Sequence, residues 1–194
     1  MTSIAPSPGL MKRGALFHLH RRAQAVLTSV DGWEAAAQFG DAEQEAAAAR
    51  RSAGLADVSH RRKYELRGPG EGAWQLSAGR YLAVAEPPAP APAGGFDVTS
   101  VYAGLLLAGP RSRDVLAKLS SLDTSAAPEG RRAWQTAIAH VHAIVLRENA
   151  GALDGFHILV TRDWAESVWE AILHAGEEFG VRAIGLDALR LLRS

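Results

Sequence analysis

The chain has 194 residues, with 21 Lys+Arg against 21 Asp+Glu and a formal net charge of zero. That length suits one domain or two small halves sharing a core, and the balanced charge offers no basic stripe through which counterion release could hold nucleic acid. Cysteine is absent, which excludes disulfides, thiolate nucleophiles and Cys-based zinc sites.

The opening stretch MTSIAPSPGLMKRG has no apolar core of signal-peptide length, and no segment approaches the ~20 apolar residues of a membrane span. The expectation is a soluble, cytoplasmic protein with a loose arm over residues 1–15 and a single domain over 16–194. ALFHLHRRAQAVL predicts a short helix. On it His18 and His20 face different ways and cannot share a metal ion. GDAEQEAAAARRSAGL predicts a stronger one: Asp41 caps it with Gln44 at the reciprocal position, Glu43 and Glu45 meet the positive end of the dipole, Arg50 and Arg51 the negative end, and Gly54 stops it.

Two stretches then say nearly the same thing: DVSHRRKYELRGPG from Asp57 and DVTSVYAGLLLAGP from Asp97. In the first, Val58, Tyr64 and Leu66 are apolar while Lys63, Glu65 and Arg67 point to a wet face. GRYLAVAE predicts another strand. EPPAPAPAGG, residues 86–95 with four prolines, reads as a polyproline-like linker between two halves. In the second copy VYAGLLLAG is apolar on both faces, as in a strand buried within a sheet. Pro110 opens a helix carrying Val115, Leu116, Leu119 and Leu122 on one stripe. WQTAIAHVHAIVLRE predicts one strand and GFHILV the next. A helix from Asp163, with Glu166 completing a capping box, buries Trp164, Val168, Trp169, Ile172 and Leu173 and ends at Gly180. GLDALRLLRS predicts a last helix. The class is α+β, with two pseudo-symmetric, mostly antiparallel sheet units and flanking helices on one side.

No phosphate-binding loop, dinucleotide fingerprint or Gly-x-Ser-x-Gly elbow is present. His140 and His142 would share a strand face, without a third ligand, and read as packed or partly exposed histidines. Asp57, Asp97 and Asp154 sit at loop–strand junctions, where aspartate bonds its own backbone. Of the five tryptophans, each taken singly fits the core, while Trp33, Trp74 and Trp134 could also line a flat ligand site or a protein contact.

Taken together, GWEAAAQFGDAEQEAAAARRSAGLADVSHRRKYELRGPG, LLLAGPRSRDVLAKLSSLD, LRENAGALDGFHILVTRDWAESVWEAILHAGEEFG and GLDALRLL resemble successive blocks of the aminomethyltransferase (glycine-cleavage T-protein) superfamily, a folate-binding family. The resemblance runs from about Leu16 onward. It implies two related sheet units, and it implies departures. Members are longer and carry a further C-terminal barrel-like domain that would follow Ser194. Their catalytic Asp lies in an Asn-Ala loop between the Gly-Pro units, where this chain has GRYLAVAEPPAPAPAGGF. Their Gly-Glu-Asp-Gly-Phe-Glu motif, whose carboxylate grips the pterin ring, reads ALDGFH, with Leu153 and His157 in place of glutamates. Leu186 stands where they have a pterin-contacting Arg. The stretch Gly109 to Gly180 also resembles the gamma subunit of heterotetrameric sarcosine oxidase, a chain of similar length without the barrel.

The resemblance therefore implies a non-catalytic subunit packing on a larger folate-handling flavoenzyme, or self-associating, with no catalytic residue of its own. A second reading is a stand-alone tetrahydrofolate-binding protein contacted by His60, Tyr64, Arg147 and Asp154, with Arg147 answering the folate carboxylates or ring carbonyl. The plainer role of those four is as polar residues at strand edges. A third is an aminomethyltransferase using Asp97 or Asp154. No metal is expected.

Overall fold

The computed structural model describes residues 11–124 and 133–194. Residues 1–10 of the expected arm lie outside them. In chain order, β1 (Lys12–Arg13), α1 (Phe17–Arg22), β2 (Val26–Val30) and β3 (Trp33–Gln38) precede the alanine-rich α2 (Ala42–Arg51). Next come β4 (Gly54–Asp57), β5 (Arg62–Leu66), β6 (Trp74–Ser77), β7 (Arg80–Ala85) and β8 (Phe96–Asp97). The second half holds β9 (Tyr102–Ala108), α3 (Ser112–Leu119), β10 (Trp134–Ile138), β11 (Val141–Arg147), β12 (Gly155–Thr161), α4 (Ala165–Gly176), β13 (Arg182–Ala183) and α5 (Leu186–Arg193).

Three sheets form, with strand orders β1-β3-β2, β10-β11-β12-β9-β4-β13 and β6-β7-β5-β8. All pairs are antiparallel except β1 with β3 and β13 with β4. The fold is thus α+β with mostly antiparallel sheets. Strand β9 is central and buried on both faces, as its unbroken apolar run dictates. Leu105 and Leu107 join the core under α3 and α4, while Leu106 and Ala108 join the core under α2 and α5. Helices therefore cover both faces of the six-stranded sheet rather than one. A third core, with Trp74, Leu82 and Val98 against Ile144, Leu146 and Leu159, joins the four-stranded sheet to the six-stranded one.

The internal repeat has a physical basis in reciprocal hydrogen bonds. Asp57 accepts the N–H of Ser59 at 2.9 Å, and Asp97 that of Thr99 at 2.8 Å, so each Asp-Val-hydroxyl unit is the same side-chain-closed turn. Each hydroxyl then accepts from the other copy: Ser59 Oγ from the Gly104 N–H at 3.1 Å, Thr99 Oγ1 from the Lys63 N–H at 3.0 Å. Val58 N–H donates to Gly104 O at 2.8 Å and Val98 N–H to Lys63 O at 2.9 Å. Lys63 and Gly104 are therefore equivalent positions about a pseudo-twofold centre.

Helix α2 begins as expected, with Asp41 accepting the Gln44 N–H at 2.8 Å. The reciprocal bond expected of Gln44 is replaced by Glu45, whose carboxylate ties in the chain before the cap and the start of α5 by accepting the N–H groups of Phe39 (2.6 Å), Gly40 (2.9 Å) and Gly185 (2.7 Å). Gly54 does not stop the helix. It opens β4, where a Cβ would lie 2.6 Å from Ile184 Cδ1. Two further expectations need correction. WQTAIAHVHAIVLRE is a hairpin: Ala139 and His140 take positive φ of 49° and 66° and join β10 to β11, so His140 is a turn residue and shares no strand face with His142. Asp163 caps nothing, because Arg162–Trp164 form a 3-10 turn before α4. That turn changes the helical phase and leaves Trp164 49% exposed, outside the buried face of α4. Among the described residues no helix is long and apolar enough to cross a membrane.

Candidate functional site

The turn closed by Asp57 and Ser59 sets the direction of the residues that follow it. Arg61 enters the interior with only 2% of its surface exposed and donates from Nη1 to Glu148 Oε1, at the end of β11, at 2.6 Å. Its Nε lies 2.7 Å from Glu86 Oε1, at the head of the proline-rich segment. The pair is close enough to be ionic, but Nε is not aligned to donate, and neither Nε nor Nη2 makes a hydrogen bond. Arg193, in the last turn of α5, reaches both carboxylates, Glu86 at 2.9 Å and Glu148 at 3.2 Å. His157 Nδ1 meets the second Glu148 oxygen at 3.1 Å, and His60 Nε2 stands 3.8 Å from Glu86.

Burial alone would raise both glutamates. At Glu86 the opposing pull of His60, Arg61 and Arg193 is larger, and at Glu148 that of His157 and Arg61, so each carboxyl is held at about 2. Burial lowers His157, and Glu148 does not restore it, so the ring is neutral at pH 7. With both carboxyls held at about 2, Glu86 and Glu148 keep their charge at neutral pH and are not poised to exchange a proton there. Beside it a cavity of about 210 Å³ opens between α5 and the proline-rich segment, with His60, Arg61, Arg190 and Arg193 on its polar side and Leu186 and Leu189 on its apolar side. Segment 86–95, read as a linker, thus contributes Glu86 to this cluster.

Lys63 is fully buried, against the expectation of a wet face for that side of β5. Its ammonium donates to the carbonyls of Ser59 and Arg61, both at 2.9 Å, and burial lowers it to about 8 from its usual 10.5, with Asp57 pulling the other way. The unfolded chain then binds the proton more tightly than the folded one between pH 8 and 10.5, so stability rises with pH across that window. Urea midpoints measured from pH 7.5 to 10.5 are expected to show this rise in the natural protein and not in Lys63→Met. A rise of equal size in both would exclude Lys63 as its source.

The four residues singled out in the sequence do not converge. His60 lines the cavity. Tyr64 is buried in the four-stranded sheet, paired with Ala83 and Asp97. Arg147 and Asp154 meet each other at 2.5 Å, and Arg113 joins them on the second Asp154 oxygen at 2.9 Å. Both guanidiniums lie over Phe156, at 5.6 and 6.0 Å from the ring centre. Asp97 is engaged by the Thr99 backbone. A further buried pair, His20 with Asp57 at 2.9 Å, is enclosed by the rings of Phe39 and Trp169. Among the described residues no group of three His, Asp or Glu side chains is disposed to hold a metal ion.

Comparison with known proteins adds a family. Residues 88–194 match the family model of the GCVT N-terminal domain. The aminomethyltransferase of Acidobacterium capsulatum is 28% identical over 96% of this chain, and that of Geobacillus thermodenitrificans 30% over 95%. The chain spans 63% and 64% of the lengths of those two relatives. Among solved structures, the glycine cleavage system aminomethyltransferase T from Bartonella henselae superposes with a TM-score of 0.73 at 20% identity, over 94% of this chain and 62% of that one. A chain of the heterotetrameric sarcosine oxidase from Corynebacterium sp. U-96 gives 0.59 at 19% identity, over 87% of this chain and 96% of the other.

Proposed function

Since the chain belongs to the GCVT N-terminal domain family of aminomethyltransferase-like, folate-binding proteins, we propose that it serves one-carbon metabolism as a non-catalytic subunit that packs on a larger folate-handling flavoenzyme. One observation carries the reading. Of the two residues that the resemblance sets in place of the motif's glutamates, Leu153 and His157, the second has a fully enclosed side chain. A Cβ on Gly104 would stand 2.6 Å from its Nε2, so the imidazole is packed directly on the backbone of the central strand. Arg61 and Glu148, paired with each other, and Lys63, whose ammonium donates to the Arg61 main-chain carbonyl, fill the neighbouring space.

The residues present do not fit a pterin. The motif's carboxylates are absent at both positions 153 and 157, and Glu148 is committed to Arg61, Arg193 and His157. The cavity beside the cluster, at about 210 Å³, falls below the ~300 Å³ at which pockets begin to enclose ligands of drug size. Family membership supports the alternative of a stand-alone tetrahydrofolate binder, which would require His157 and Arg61 to give way. The third reading, catalysis by Asp97 or Asp154, has to contend with Asp97 bonded to its own turn and Asp154 held by two arginines. A subunit role also accords with the likeness of fold to one chain of the heterotetrameric sarcosine oxidase.

Anaerobic calorimetric titration with tetrahydrofolate tests the reading. The expected result is no saturable heat. Saturable binding in the micromolar range would transfer the assignment to the folate-binding alternative. Asp154→Asn is expected to leave this outcome unchanged.

A further inference from the structure

The cavity beneath α5 is built around an arginine edge that the protein itself fills only in part. The Nε and Nη2 atoms of a guanidinium form one of its two-pronged faces for carboxylate. In Arg61 that face carries a single oxygen, Glu86 Oε1, 2.7 Å from Nε, and neither prong makes a hydrogen bond. The other prong, Nη1, is anchored on Glu148, and Arg61 is buried, so the guanidinium is fixed in place. Glu86 has no such anchor. Its side chain is 51% exposed, it precedes a segment without regular structure, and among the described residues its ionisable partners are His60, Arg61 and Arg193, of which the two arginines are cations.

We propose that this cavity binds a small carboxylate with a short apolar body, and that Glu86 is a tethered occupant which the ligand displaces. The incoming carboxylate gains both prongs of Arg61 where Glu86 makes neither hydrogen bond, and it keeps the contact with Arg193. Charge is conserved in the exchange, one carboxylate leaving as another arrives, so no buried cation is left unpaired. Leu186 and Leu189 take the apolar body on the opposite wall. The volume of about 210 Å³ suits a short-chain acid and is too small to enclose a whole folate. The inference stands apart from the subunit reading, since it concerns a ligand that neither family membership nor assembly supplies.

The test uses butyrate as probe, inorganic phosphate as an anion without an apolar body, and 1-butanol as an apolar body without charge. Binding is followed by the Nε–Hε signals of arginine in ¹H–¹⁵N spectra and by thermal midpoint. Butyrate is expected to shift one buried arginine signal saturably. In Glu86→Gln it should bind about tenfold more tightly, because an internal competitor that holds the site most of the time reduces apparent affinity by the free fraction. Equal affinity in the two proteins, or equal response to phosphate and butyrate, or no saturable shift in either protein, would overturn the proposal. If Glu86→Gln does not fold, acyl-chain length in the natural protein carries the test: butyrate should bind about tenfold more tightly than formate, which lacks the apolar body that Leu186 and Leu189 would receive, and equal affinity would overturn the proposal.

Discussion

Arg61→Met is expected to cost about 3–5 kcal/mol of stability, the range for removing one partner of a buried ion pair. Methionine fills much of the same volume, so a void is not the source of the loss. The source is Glu148, partly buried beside Arg61 and left with Arg193 and His157. Four distant pieces of chain meet at the lost group: the turn before β5, the end of β11, the proline-rich segment and the last turn of α5. The pH dependence separates this from a packing defect. Glu86 and Glu148 are held at about 2 in the folded state against 4.5 for the free side chain. Their contribution is complete above pH 4.5 and is lost as pH falls from there toward 2. The variant has less of it to lose, so the gap in urea midpoint between natural protein and variant should be wide at pH 7 and narrower at pH 3. A gap of the same width at both would point to packing. Adding Glu148→Leu to Arg61→Met should recover part of the loss, because the stranded carboxylate goes with it.

The legible parts of this fold are those where local chemistry and tertiary need agree. Helix α2 declared itself through Asp41, its acidic first turn and its basic last turn, and β9 through an apolar run too long for a strand with a wet face. The repeat was legible as a repeat. The exchange of hydrogen bonds behind it was not, because Asp-Val-Ser and Asp-Val-Thr describe a local turn, and the partners Gly104 and Lys63 carry no signal beyond their own strands. Lys63 illustrates the limit of alternation: period two separates two faces and does not say what covers each. The hairpin at Ala139 and His140 was hidden for a related reason. Neither Gly nor Asn marks the turn, although both residues adopt left-handed backbone. The charged cluster was the least legible. Arg61 and Glu148 lie 87 positions apart and Arg193 and Glu86 lie 107 apart, and no motif spacing joins them. The nearest signal was negative, a histidine at 157 where the resemblance called for a carboxylate.

The two Gly-Pro pairs that close the repeat should prove unequal despite their identical letters. Gly109→Ala is expected to cost about 3–5 kcal/mol, combining strained backbone with overpacking. Gly109 sits at φ +140°, and a Cβ there would stand 2.4 Å from Ser52 O and 2.6 Å from both Ala49 O and Ala53 Cα. These are backbone atoms of α2 and the turn after it, and they cannot swing aside as a side-chain end could. Its N–H also donates to Asp154 O at 2.8 Å, tying the turn into α3 to the start of β12. Gly68 has no atom within 4 Å of the same added methyl and lies outside the left-handed region. Gly68→Ala should therefore change stability by no more than about 0.5 kcal/mol. Against a total of roughly 5–15 kcal/mol for a domain, the first change threatens folding at 37 °C and the second is silent. Urea midpoints of the two variants, with soluble yield as a second reading, distinguish them. Equal losses would mean that the glycines serve the repeat itself, while the expected inequality means that the second unit keeps its glycine because α2 lies against it.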